Sequence, residues 1–166
     1  MHFYSINKIK RKQKDYFTVW YSADGEGFLT ENGKLSVFES KKDAADCIRT
    51  LSGFSDPVRE KYYNLDELER NLSKNDYIPS LDNAAEYWSV FADLARSVGK
   101  SFAGDGKSFI LNDIYDKLIM AETDTEAFYD NADEDSFDLT DEEEELTSAV
   151  LKSGIELFDL AVGDIN

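Results

Sequence analysis

Tyr16-Phe17-Thr18-Val19-Trp20-Tyr21 runs, one residue later, into Ala23-Asp24-Gly25-Glu26-Gly27. An unbroken aromatic and β-branched stretch closed by glycine and aspartate is the pattern of a strand entering a turn. Before it, Phe3, Ser5 and Asn7 alternate with Tyr4, Ile6 and Lys8, a period of two that predicts an earlier strand. Lys10 to Lys14 then reads as a basic loop between the two. After it, Phe28-Leu29-Thr30 and the stretch Lys34 to Phe38 flank Glu31-Asn32-Gly33, and Asn-Gly is a strong hairpin signal. Residues 1–39 are therefore expected to form a small antiparallel sheet of about four strands.

Beyond Glu39 the period changes to that of helices. Ser40, with Asp43 three residues on, caps a helix whose inner face is Ala44, Ala45, Ile48 and Leu51, with Cys47 beside them and Gly53 as its stop. Tyr62-Tyr63-Asn64 leads into Leu65, Leu68 and Leu72 at helical spacing. Pro79-Ser80 opens a long helix to Val98 with Leu81, Ala84, Ala85, Trp88, Phe91, Ala92, Ala95 and Val98 on one face. Gly99 to Gly106 reads as a loop. Phe109 to Met120 reads as a helix with Ile110, Ile114, Tyr115 and Leu118 inward. Thr140 and Glu143 form a capping box for a last helix through Val150, Leu151, Ile155, Leu157 and Phe158. The expected fold is α+β: a β-rich 1–39 packed with a mainly helical 40–166, together one domain.

With 42% hydrophobic and 13% aromatic residues the chain is too apolar for a disordered acidic tail. Its net charge of −17 is unevenly spread. Residues 1–75 hold 13 basic and 12 acidic groups, and residues 76–166 hold 5 and 23. A lone cysteine excludes an intramolecular disulfide. No apolar stretch approaches a bilayer span, and Met1-His2-Phe3-Tyr4 lacks a signal-sequence pattern, so a cytoplasmic protein is expected.

Few residues offer chemistry. The single histidine, His2, is near the N-terminus and remote in sequence from Cys47, a poor pairing for nucleophilic catalysis or metal binding. Asp93, Asp113 and Asp116 lie near aromatic residues and could serve a carboxylate-dependent hydrolase if their environments set their pKa values apart, although solvated helix faces explain them more simply. Asp130, Asp133, Asp135 and Asp138 are spaced like calcium ligands, but Phe137 and Asp138 stand where an EF-hand loop needs a ligand and a glycine. The glycine pairs Gly25/Gly27 and Gly104/Gly106 lack a phosphate-loop context. Lys8, Lys10, Arg11, Lys12 and Lys14 could touch nucleic acid, but the net charge opposes polynucleotide binding. No catalytic residue, metal or cofactor is assigned, and neither nucleic acid nor membrane is expected as a partner.

The most informative tract lies between Lys117 and Lys152, where no basic residue occurs. Thirteen carboxylates fall within the 24 positions 122–145. A field of one sign on this scale speeds encounter with a basic partner. Three large aromatics sit among the acids and would anchor an interface whose rim charges pair with arginine and lysine. The candidate contact residues are Glu122, Asp124, Glu126, Phe128, Tyr129, Asp130, Asp133, Glu134, Asp135, Phe137, Asp138, Asp141, Glu142 and Glu143. The plainer alternative is a solubilising loop.

Asn32-Gly33-Lys34-Leu35-Ser36-Val37-Phe38-Glu39-Ser40-Lys41-Lys42-Asp43-Ala44 resembles a pattern of immunity proteins from bacterial polymorphic toxin systems. Tyr63-Asn64-Leu65-Asp66-Glu67-Leu68, Tyr87-Trp88-Ser89-Val90-Phe91-Ala92-Asp93-Leu94-Ala95, Tyr115-Asp116-Lys117-Leu118 and Val150-Leu151-Lys152-Ser153-Gly154-Ile155-Glu156-Leu157-Phe158 continue the likeness in order. The chain is similar to CdiI-type immunity proteins of contact-dependent growth inhibition. That resemblance implies an α+β protein that binds one cognate toxin domain, one to one, and blocks it. The acidic charge points to a basic nuclease, most simply an RNase, with the EndoU type one candidate. After Leu118 the chain departs from the pattern, so no contact residue is carried over. The alternative is an acidic nucleic-acid mimic that inhibits a DNA-binding or defence protein.

Overall fold

The computed structural model describes residues 3–52, 58–74, 81–105, 108–122 and 139–163. Strands β1 (Phe3–Arg11), β2 (Lys14–Ser22) and β3 (Glu26–Phe28) form a meander. A small ribbon of β4 (Thr30–Glu31) and β5 (Lys34–Leu35) turns at Asn32-Gly33, where both residues have positive φ, as the Asn-Gly signal requires. Helix α1 (Lys41–Ser52) then leads to strand β6 (Arg59–Asn64), which runs parallel to β1. The remaining helices are α2 (Leu65–Leu72), α3 (Leu81–Val98), α4 (Phe109–Glu122) and α5 (Asp141–Ala161).

The α+β architecture is as expected, with one correction to the sheet. Its order is β3-β2-β1-β6, so it is mixed rather than antiparallel, and its fourth strand comes from the helical half of the chain. Arg59-Glu60-Lys61-Tyr62-Tyr63-Asn64 buries only Tyr63, because β6 is an edge strand blunted by charge. Its pairing with β1 is non-local and leaves no local period to read. The expected stop at Gly53, start at Pro79-Ser80, and His2 lie outside the described residues.

The two sheet faces bury different material. Ile6 and Val19 pack on Ala44 and Ile48 of α1. Ile9, Tyr16 and Tyr63 face the larger cluster made with α2, α3 and α5. Within it Phe91 of α3 and Phe158 of α5 are almost wholly buried, and Tyr16 meets Phe158 edge to face at 5.8 Å. Helices α3 and α5 approach closely at Gly154, where an added Cβ would overlap the Phe91 ring. Two inward assignments are corrected: Leu51 and Ile110 are exposed. Each lies in an end turn of its helix, beyond the buried residues Ile48 of α1 and Ile114 of α4.

The β1–β2 turn is shorter than the expected loop. Only Lys12 and Gln13 connect the strands, both left-handed with φ of 51° and 62°. That conformation costs a non-glycine residue about 1–2 kcal/mol. Asp66 at the start of α2 offsets it by accepting Lys12 N–H at 2.6 Å and Gln13 N–H at 2.8 Å. Beside the turn, the buried guanidinium of Arg11 is held by two carboxylates. Asp159 of α5 accepts from Nε and Nη2 at 2.8 and 2.7 Å, and Glu69 of α2 accepts from Nη1 and Nη2 at 2.7 and 3.3 Å. The Asp159 bonds, with Glu69 behind them and against the cost of burial, raise the Arg11 pKa further, so it stays charged throughout.

In urea titrations Arg11→Ala should lose about 3 kcal/mol of stability, because a buried charge pair is broken and two carboxylates lose their fork. Glu69→Gln, at a half-exposed partner, should lose less than about 1 kcal/mol. Equal losses would overturn this ordering. Gly154→Ala should cost about 3 kcal/mol through overpacking against Phe91. A variant as stable as the parent would show that the ring can turn aside.

Candidate partner-binding surface

Helix α4 is apolar over much of its length, with Ile114 and Leu118 fully buried and Tyr115 partly so. Tyr115 packs against Trp88 of α3 at 5.6 Å, and its hydroxyl shares a 3.0 Å hydrogen bond with Ser89. That fixes one side of α4 and turns the opposite side outward. Phe109, Asp113 and Asp116 fall at i, i+4 and i+7, so they share one face. All three are exposed, and Phe109 is 92% accessible. A bare phenylalanine between solvated carboxylates has no role in the core described above.

Helix α5 begins beside α4. Its Thr140 Oγ1 accepts from Glu143 N–H at 3.2 Å while Glu143 accepts from Thr140 N–H at 3.1 Å, the reciprocal capping box expected from the sequence. The same Glu143 carboxylate takes both bonds from Lys117 Nζ of α4, at 2.8 and 2.9 Å. The hydrogen bonds from Lys117 hold Glu143 below the ordinary glutamate pKa, against the opposing pull of burial. The ion pair therefore fastens α4 to α5 and consumes the only basic side chain on α4.

The sequence-derived contact residues divide accordingly. Asp141 and Glu142 are exposed in the first turn of α5, and Glu145 joins them one turn on. Glu143 is buried and engaged within the chain, so it supports the surface rather than lying on it. Glu122 ends α4. Asp124, Glu126, Phe128, Tyr129, Asp130, Asp133, Glu134, Asp135, Phe137 and Asp138 lie outside the described residues, as does the calcium-like spacing. Phe109, absent from that set, is the exposed aromatic the structure adds. Its place was readable from helical spacing, since Asp113 and Asp116 share its face, but an aromatic side chain gives no outward signal of its own.

Of the candidate catalytic acids, Asp113 and Asp116 are exposed on α4, whereas Asp93 of α3 is half-buried. Asp93 accepts from Trp20 Nε1 at 2.9 Å and pairs with Arg96. Burial raises its pKa, and the Trp20 and Arg96 contacts partly restore it. Cys47 is half-buried, and burial pushes its thiol up, away from thiolate chemistry. Among the described residues there is no group of three or more His, Cys, Asp or Glu side chains able to hold a metal ion. Among them, too, no helix is long and apolar enough to cross a membrane.

No family model, curated protein or solved structure matches the chain.

The Lys117–Glu143 pair gives acid unfolding a specific component. Glu143 has a lowered pKa when folded, so its contribution is complete above the unfolded value near 4.5 and disappears as pH falls through the folded value. Lys117→Met should flatten the dependence of stability on pH in that acidic window. An unchanged slope would show that the backbone bonds alone set the Glu143 pKa.

Proposed function

We propose that the chain is an immunity protein that neutralises a cognate, basic toxin domain, a nuclease of a contact-dependent inhibition or related polymorphic toxin system, acting in the cytoplasm. The observation that carries this reading is the exposed stripe Phe109–Asp113–Asp116 of α4 together with the exposed Asp141, Glu142 and Glu145 of α5, the helix that Lys117 fastens to α4 through Glu143. Carboxylates with no ion-pair partner among the described residues repel nucleic acid and lipid headgroups and attract a cleft built to hold RNA or DNA. An exposed aromatic among them supplies the apolar anchor that charge alone lacks. The resemblance to CdiI-type immunity proteins points to the same function.

Blocking a nuclease needs no catalysis by the inhibitor. Charge complementarity accelerates encounter, and burial of an anchor slows release. The test is titration against the toxin domain encoded beside this chain's gene, following cleavage of total RNA and plasmid DNA at low and high salt. Stoichiometric inhibition that weakens with salt is expected. Phe109→Ala should weaken binding at least about tenfold with thermal stability unchanged, whereas Glu142→Gln alone should change it little. Absence of binding at either salt would overturn the proposal and favour a nucleic-acid mimic.

A further inference from the structure

A second site lies between the sheet and α3, away from the α4–α5 surface. Strand register aligns Tyr63, Ile9 and Tyr16 in one row across the sheet and Lys61, Asn7 and Thr18 in the next. The first row is apolar and seals the core. The second is polar although it faces a helix. Helix α3 crosses above, from Glu86, which accepts from Tyr63 Oη of β6 at 3.3 Å, to Ser97, which accepts from Phe28 N–H of β3 at 2.8 Å. Polar residues under a crossing helix leave a cleft of about 350 Å³.

The cleft offers unpaired donors at one end and carboxylates at the other. Asn7 is 2% exposed, and its Oδ1 accepts from Ser5 Oγ, but its Nδ2 donates to no group among the described residues. Lys61, its neighbour on β6, has no carboxylate within ion-pair distance among them either. Two free donors therefore stand side by side on adjacent strands. Towards β3 the character reverses. Asp93 accepts from Trp20 Nε1 and pairs with Arg96, and Glu26, which has no ion-pair partner among the described residues, is close enough to disfavour its charge. Glu86 and Asp93 are two helical turns apart, about 10 Å.

We propose that this cleft binds a small ligand with a carboxylate at one end and a guanidinium or ammonium at the other, the chemistry of a basic amino acid. The carboxylate is met by Lys61 Nζ and Asn7 Nδ2, and an α-ammonium by Glu86. The distal cation is met by Glu26, in the field of the neighbouring Asp93, with the Trp20 ring along the apolar stem. This site stands whether or not the acidic surface engages a toxin.

Calorimetric titration of the whole chain tests it with L-arginine, agmatine, which lacks the carboxylate, and citrulline, which lacks the distal charge. L-arginine should bind saturably, and agmatine and citrulline at least about tenfold more weakly. Lys61→Met should abolish the preference over agmatine, and Glu26→Gln the preference over citrulline. Both residues are exposed, and circular dichroism confirms folding of the variants. A peptide ending in arginine separates a free ligand from a chain terminus: tighter binding of the peptide makes the occupant a terminus, weaker binding a free molecule, and either supports the chemistry. Failure of L-arginine to saturate the protein, or equal binding of agmatine or citrulline, would overturn the proposal.

Discussion

One buried guanidinium holds the two halves of this molecule in register. Arg11 ends the strand that forms the centre of the sheet, and it grips α2 through Glu69 and α5 through Asp159. A planar fork facing two carboxylates accepts few orientations, so the network selects geometry more than it adds raw stability. Apolar contacts between sheet and helices would tolerate sliding. Two bidentate pairs do not. Asp66 extends the same arrangement to the strained hairpin turn, so the turn, the start of α2 and the end of α5 are positioned together.

That docking dictates where the sheet is sealed and where it opens. Near Arg11 the helix-facing residues are Ile9, Tyr16 and Tyr63, and they close the core with Phe158. One row further along the strands the residues become polar and α3 departs toward β3. The cleft is thus a consequence of one register and one crossing helix. Asp93 stands in it with a charge that burial disfavours and that the Trp20 and Arg96 contacts partly restore.

Charge is used differently in the two halves. In the N-terminal half, pairs such as Lys41–Glu60, Arg49–Asp46 and Arg11–Glu69 consume cations and anions together. In the C-terminal half, Lys117 is spent on Glu143, and the neighbouring carboxylates of α4 and α5 are left in solvent. Their field extends roughly a Debye length, about 8 Å at physiological salt, beyond the surface. An incoming basic protein would meet it before any specific contact forms.

The sequence by itself determined the α+β class, the meander, the Asn32-Gly33 turn, the Thr140–Glu143 capping box and the concentration of acid after Lys117. These are local: alternation, helical spacing, cap chemistry and turn preference each act within a few residues. The sequence also singled out Asp93, Asp113 and Asp116 without separating them, because burial is not a local property. Tertiary structure alone decided that β6 joins the sheet in parallel, that Arg11 is a buried hub rather than part of a basic loop, and that Glu143 turns inward to Lys117. It also left Phe109 bare and brought Asn7, Lys61, Glu26 and Asp93 around one cleft. Each of those outcomes depends on partners far apart in the chain, whose proximity follows only once the hydrophobic faces have chosen how to pack.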